Sequence, residues 1–568
     1  MQMRAHRIVL LVIASLIAGG ATFAQVGRGW SDWPTPYADA QRTSWLQTDP
    51  NISVESLSKP GFELQWTSKV DNQRRGTYGL TQGVTASGVT LFVPASIVGG
   101  SSNKLFLIDN DTGYVIWSRT FEGALPAPTG ACSGGMTAAP TRIVSAAAPP
   151  PATAAALPPA GRGIQQGYRS LIGEPGQGIP VEPRGGGPPR GAPAGPARQG
   201  GGPGPGAPAR GDGIPGAPNV VSGGGTARIL VGYAVAADGQ LHVVGLQSGK
   251  TLQKPAPFLP PNSQWSNPVA VGAMMYAATS GSCAGAPNGV YAIDLDTPDN
   301  KPVVSYRTNG GSVVGAVAFS SDGNTLLASI GPGSVTGDGK ANAIVALDPK
   351  TLQLKDWFTH PTAEFVTGPT VFRHGAKDLV AAGTKDGRVI LLDAASLGGA
   401  NHTTPLVTSS ALVASGGSIS AEALSTWARP STAGRWIMVP VSGRPVARAT
   451  SGAIRNGAVV AVRVREGNGT YSLEPEWTSS DLTSPATPII VNGVVFALST
   501  GRAAAAGRTG SPAVLYAHDG LSGKALWNSG KAMTATASPG SFWSSLSQVY
   551  VGAEDGTIYA FGFVDERR

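Results

Sequence analysis

The sequence predicts an all-β chain folded as an eight-bladed β-propeller of four-stranded antiparallel blades. Three observations carry that expectation. The composition is turn-rich, with 79 Gly, 46 Pro and only 13% charged residues, and sustained helical periodicity is nearly absent. One hairpin pattern recurs along the whole chain at the spacing of a propeller blade. A lone strand near the start has no hairpin of its own, and the last repeat lacks an outer strand.

The chain opens on Arg4 and Arg7, an apolar run from Ile8 to Ala18, and Thr22-Phe23-Ala24 with small residues at the two positions cleavage requires. This reads as a secretory signal peptide over residues 1–24, with an uncleaved N-terminal anchor as the alternative. The apolar run is short for a membrane span. No Cys follows the cleavage point, which argues against a lipoprotein. The expectation is a periplasmic or secreted protein with no transmembrane span after cleavage. An N-terminal leader follows over 25–61, containing one short helix from Ser53 to Lys59 that a Ser opens and Pro60 stops. Phe62 to Val70, carrying Trp66, is the lone strand.

From Gln82 onward the recurring hairpin is clearest as KLFLIDNDTGYVIW, Lys104 to Trp117. An apolar run ends on Asp109, whose carboxylate can bond back to the main chain. Gly113 can take a positive φ in the turn, and a second short strand closes on Trp117. The same anchor position recurs at Gly245, Asp294, Asp348, Asp393, Arg463, Asp519 and Gly562. Two more strands precede each hairpin, as in TPIIVNGVVFALST with its turn at Asn492-Gly493. The sixth repeat is the weakest, since Arg463 replaces the Asp and its spacing is the longest of the later ones; seven blades is the alternative. Joining the lone strand to the last repeat closes the ring and removes its open edges, making 62–568 a single domain.

Residues 146–225 are mostly Ala, Gly, Pro and Arg, with Tyr168 the only aromatic. Such a stretch buries too little apolar surface to offset the cost of ordering it. It reads as a disordered insert in the second blade, between a first strand around Thr141 to Val144 and a second from Arg228 to Ala234. The formal net charge of +8 is concentrated there, in the signal peptide, and in a run of seven Arg without an acid between Ser425 and Arg465. A basic face on the folded body is therefore not expected, which argues against nucleic-acid binding.

The Ala-(Leu/Ile)-Asp-x-x-(Thr/Ser)-Gly-x-x-x-Trp pattern, clearest at 107–117 and 517–527, resembles the blade repeat of the pyrroloquinoline quinone (PQQ)-type propellers. The leader WPTPYADAQRT, Trp33 to Thr43, is similar to the segment that opens the quinoprotein alcohol dehydrogenases. The resemblance covers the mature chain apart from the insert. It implies either a PQQ-dependent dehydrogenase of alcohols or sugars, with PQQ and calcium as cofactors, or a non-enzymatic scaffold, because the same repeat serves both.

In such blades the connections between blades, and between second and third strands, share one face. The longer loops fall there: Ile97 to Asn103, Ser280 to Asn288, Gly331 to Asn342, Gly443 to Gly457 and Gly501 to Pro512. Loops on a rigid scaffold are where sites are built. Cys132 and Cys283, the only cysteines, map to that face on neighbouring blades, so a disulfide is expected; two separate half-buried thiols are the alternative. Arg444, Arg448 and Arg455 lie in one long loop, with Arg502 and Arg508 in the matching loop of the next blade. They would suit a small anionic ligand such as PQQ, which has three carboxylates, or are plain solvated loop charges.

The starts of the innermost strands offer Trp265, Asn267, Glu364 and Glu422. The resemblance implies a Trp under the quinone and a Glu and an Asn on calcium. One Asn and two Glu on different blades are too few to assign a metal site. The family's adjacent cysteine pair is missing, and the six His show no ligand spacing. The functional expectation is therefore a monomeric, exported ligand-binding or protein-interaction scaffold, leaning away from catalysis, with the dehydrogenase as the alternative.

Overall fold

The computed structural model describes residues 32–86, 94–129, 132–147, 231–296, 302–420, 422–429, 434–447, 449–502 and 510–563. The signal peptide and nearly all of the Pro/Gly-rich insert, with the strand start expected at Arg228, lie outside these residues.

Eight small antiparallel sheets are arranged as an eight-bladed β-propeller. Blade one is Val84–Ala86, Ala95–Gly100, Lys104–Asp109 and Val115–Thr120. Blades three, four and five follow the same order, ending on Val304–Arg307, Leu354–Thr359 and Val407–Thr408. Blade six contains the long hairpin Gly457–Gly467 and Thr470–Thr478, so Arg463 is a true blade position; it pairs with Glu476 at 3.1 Å. Blade seven starts on Ile489–Val491. Blade eight is Ala537–Ser545, Gln548–Ala553 and Thr557–Phe563, completed by Phe62–Lys69 running antiparallel to Thr557–Phe563. The lone strand near the start therefore closes the ring.

Burial explains why each hairpin is apolar on both faces. In blade one, Leu105 and Leu107 pack toward Ala234 and Val244 of blade two, while Phe106 and Ile108 pack toward Tyr550 and Val551 of blade eight. Alternate residues serve alternate neighbours, so a period-two strand reads as a continuous apolar run.

A Trp-to-Gly contact joins blades. Trp66, Trp117 and Trp477 donate from Nε1 to the carbonyls of Asn110, Leu246 and Gly520, at 2.9, 2.8 and 3.0 Å. Each indole lies on the turn glycine of the next blade: Gly113, Gly249 and Gly523, with φ of 74, 67 and 69°. A Cβ on these glycines would lie 2.5 to 2.8 Å from the ring. Only Gly combines the left-handed turn with that approach. Trp66 crosses from blade eight to blade one, so ring closure uses the same contact.

Two expectations are corrected. Among the described residues blade two has three strands, Val231–Val235, Gln240–Gly245 and Ala256–Pro257. Its expected first strand is reduced to one bridge, Thr141 to Tyr233, and Ile143–Val144 instead pair in parallel with Ala270 and Val271 of blade three. The intervening Arg142 gives its N–H to the leader carbonyl of Pro34, which turns the chain away. Ile97 to Asn103 is not a long loop: Ala95–Gly100 is strand, and Ser101 to Asn103 form a tight turn with Asn103 at φ 63°. The short helix is present as Val54–Leu57, capped by the Ser53 side chain.

Candidate functional site

The described part of the leader before its short helix, residues 32–49, is drawn into the ring. Inner-strand N–H groups of successive blades donate to its carbonyls: Thr85 to Trp33, Arg142 to Pro34, Phe319 to Ala40, Val371 to Gln41, Thr426 to Thr43 and Ile490 to Ser44, all between 2.8 and 3.0 Å. Blade three is reached by the Thr35 hydroxyl, which donates to Pro268 O at 3.5 Å, and blade eight by Asp49, which accepts from Ser547 N and Oγ at 2.9 and 2.7 Å. The segment thus touches all eight blades in chain order. It crosses the channel along the inner strands, past the residues that open them.

Holding that course requires backbone strain. Tyr37, Ala38, Arg42 and Ser44 all have φ between 53 and 75°, a region costing about 1–2 kcal/mol per residue without glycine. Buried hydrogen bonds offset it. Arg42 is almost fully enclosed, donating Nε to Val317 O at 2.8 Å, Nη1 to Pro36 O at 2.7 Å and Nη2 to Asn267 O at 3.2 Å. Burial lowers its pKa to about 10, opposed by the nearby Tyr37 and Asp39. Asp39, raised by burial, accepts from Thr43 N at 2.9 Å and from its hydroxyl.

Above this plug, where the inner strands begin, lies a cavity of about 240 Å³. Tyr37 is its floor. Its ring packs with Ala316 and Ala423, its N–H donates to Gln82 Oε1 at 2.7 Å, and its hydroxyl accepts from Asn267 Nδ2 at 3.4 Å. Tyr78, Glu422 and Ser538 lie on the walls. Most neutral polar groups there are occupied by the frame. Asn267 Oδ1 accepts from Ala139 N and Gln82 Nε2 donates to Phe542 O. The Thr137, Ser420 and Thr487 hydroxyls donate to Trp265, Pro485 and Ala423 carbonyls.

Besides the exposed Thr77 hydroxyl, two groups of the described wall are not occupied. The Ser538 hydroxyl, on a residue 2% exposed, has no partner. The Glu422 carboxylate has none among the described residues. Glu422 opens to channel water yet is otherwise surrounded by protein, and that enclosure raises its carboxyl pKa. Burial, then the Glu422 charge, raise both Tyr37 and Tyr78, which remain protonated donors.

Cys132 and Cys283 are joined by a disulfide with a Cα–Cα distance of 5.7 Å. Cys283 Sγ lies 3.9 Å from Gln264 Oε1, and Gln264 Nε2 donates to the Tyr78 hydroxyl. The crosslink therefore backs the wall that carries Tyr78.

Of the residues singled out in sequence, the structure brings Asn267 and Glu422 together at the cavity. Trp265 does not line it: its side chain is 3% exposed and packs with Tyr233, Phe258 and Ile293 between blades two and three, because its strand Gln264–Trp265 pairs with Ser280 and Thr279. Glu364 turns outward to Lys385 at 2.8 Å. Arg444, Arg455 and Arg502 are exposed and outside the cavity wall, while Arg448 and Arg508 lie outside the described residues. Tyr37, Tyr78 and Ser538 were missed. The one signal for Tyr37 was an aromatic-bearing leader with no period of its own.

The residues present do not fit PQQ. Its three carboxylates require cationic partners, and the described cavity wall carries one carboxylate and no Arg, Lys or His. Among the described residues no three His, Cys, Asp or Glu converge, so the donor set for a calcium cage is incomplete as well. No helix among the described residues is long and apolar enough to cross a membrane.

No family model matches the sequence, and no curated protein matches it. Solved structures do. A quinohemoprotein alcohol dehydrogenase from Comamonas testosteroni matches with a TM-score of 0.53 at 13% identity, over 95% of this chain and 81% of that one. A europium-containing methanol dehydrogenase matches with a TM-score of 0.52 at 11% identity, over 94% of this chain and 98% of that one. At these identities the likeness concerns architecture, and the chain has the propeller fold of the quinoprotein alcohol dehydrogenases.

Proposed function

We propose that the protein is an exported binding propeller of the periplasm or cell envelope, in which a small molecule is held in the channel cavity and no redox chemistry is performed. The observation that carries this reading is the cavity itself. It is a cup floored by Tyr37, walled by six blades, and supplied, among the described residues, with one free carboxylate and no cation. Such a cup holds and orients a ligand through Glu422 and two tyrosine hydroxyls. The signal-like N-terminus and the disulfide support an oxidising compartment.

The alternative, a quinone-dependent dehydrogenase, draws on the full-length likeness to two dehydrogenases. The discriminating experiment adds PQQ and Ca²⁺ to the purified protein and follows the quinone spectrum and dye reduction with a panel of alcohols and sugars. The binding reading expects neither a bound-quinone spectrum nor turnover. Turnover would overturn it.

A further inference from the structure

Resting on the reading of the channel cavity as a binding site, we infer that its ligand is a small organic cation, a primary ammonium that also carries a hydroxyl. The inference follows from which groups the frame leaves free. The amides of Asn267 and Gln82 have both ends engaged, and the Thr81 and Thr137 hydroxyls each donate and accept within the protein. These residues shape the wall and leave little for a ligand.

What remains has a definite polarity. Glu422 offers carboxylate oxygens and nothing to donate when ionised, and no Arg, Lys or His of the described wall neutralises it. Ser538 Oγ is buried and unpartnered beside the same space. The Tyr37 and Tyr78 hydroxyl oxygens already accept from Asn267 Nδ2 and Gln264 Nε2, which turns their protons toward other acceptors. A complementary ligand therefore brings a positive N–H group for Glu422, and a hydroxyl oxygen for a tyrosine O–H. Glu422 meets the cavity water with no cationic partner among the described residues, so its charge selects the ligand's sign. The cavity volume of about 240 Å³ limits the ligand to a compact molecule below drug size.

The test uses three probes of similar length: 4-amino-1-butanol, 1,4-butanediol and 4-hydroxybutyrate. Each is titrated calorimetrically into the oxidised full-length protein and into Glu422→Gln and Tyr78→Phe. The amino alcohol is expected to bind at one site at least about tenfold more tightly than the diol, the value of one charge-assisted hydrogen bond. The hydroxy acid is expected not to bind. Glu422→Gln should bring the amino alcohol down to the diol's affinity, and Tyr78→Phe should weaken both.

Equal binding of amino alcohol and diol, or unchanged binding in Glu422→Gln, overturns the cation assignment while leaving the cavity reading intact. Preferential binding of 4-hydroxybutyrate overturns it in favour of an anion. Absence of saturable binding by all three overturns it together with the cavity reading. Quinone turnover strikes only the non-catalytic reading.

Discussion

Asn267 Nδ2 donates to the Tyr37 hydroxyl at 3.4 Å across 230 residues of sequence, tying the wall of the channel cavity to its floor. The floor belongs to the leader and the wall to blade three. A segment that precedes the propeller in sequence is thus a working part of its interior, and the consequences can be measured.

Arg42 is the leader's main attachment. Arg42→Met leaves the carbonyls of Val317, Pro36 and Asn267 without the donors they now have. Losing a buried group of this kind costs about 3–5 kcal/mol. Arg42→Lys should recover little, since an ammonium lacks the guanidinium fork. Urea unfolding followed by tryptophan fluorescence reads this directly, and a wild-type midpoint in Arg42→Met would show that the plug is not anchored there.

Gly113→Ala should destabilise the ring closure. Its φ is 74°, and a Cβ there would lie 2.5 Å from the Trp66 ring. Backbone strain and overpacking together should cost about 2–4 kcal/mol. Gly469→Ala is a fitting control, because its φ of 76° matches and its Cβ would meet nothing within 4 Å. Thermal melts of the two variants should separate packing from turn strain; equal losses would deny Trp66 its packing role.

Acid should destabilise the protein partly through His518. The ring is buried, accepts from Ser480 N at Nε2 (3.5 Å) and places Nδ1 3.2 Å from Gly523 O, an arrangement suited to the neutral imidazole. Burial lowers its pKa to about 4, opposed by the bond to Gly523. The folded state thus resists protonation more than the unfolded one. Stability from this group is present above the unfolded pKa of about 6.5 and is lost as pH falls from there toward 4. The contribution at stake is up to about 3 kcal/mol. Urea midpoints between pH 7.5 and 4.5 should flatten in His518→Gln relative to wild type; parallel curves would remove His518 as the cause.

Reduction of the disulfide should act on stability and on the cavity at once. The crosslink spans 151 residues of sequence, and its loss from a chain of this kind costs about 2–4 kcal/mol. It also frees the loop that positions Gln264 against Tyr78. The double variant Cys132→Ser/Cys283→Ser should melt at a lower temperature and bind 4-amino-1-butanol more weakly. Unchanged affinity alongside a lowered melt would confine the disulfide to stability.

The blades were legible because each repeats a local rule. The Asp109 turn, with Asp111 N donating to Asp109 Oδ1 at 2.8 Å, and the docking of Trp117 on Gly249 are written in residues a few positions apart or one repeat apart. Arg463 broke the rule without losing the blade, since its hairpin partner Glu476 satisfies it. The cavity was legible only in part. Asn267 and Glu422 stood out because inner-strand starts face the channel, but the same reasoning also selected Trp265 and Glu364, which a local pairing and a surface Lys draw elsewhere.

By itself, the sequence determined the repeat, the eight blades and the closing strand, all of which follow from period-two burial between identical neighbours. Tertiary structure alone decided where the leader goes, which polar groups the frame occupies, and which are left free. Those outcomes depend on single hydrogen bonds between residues far apart in the chain, such as Ser547 N to Asp49 across 498 positions, and unlike the closing strand the leader carries no repeat that names its partners.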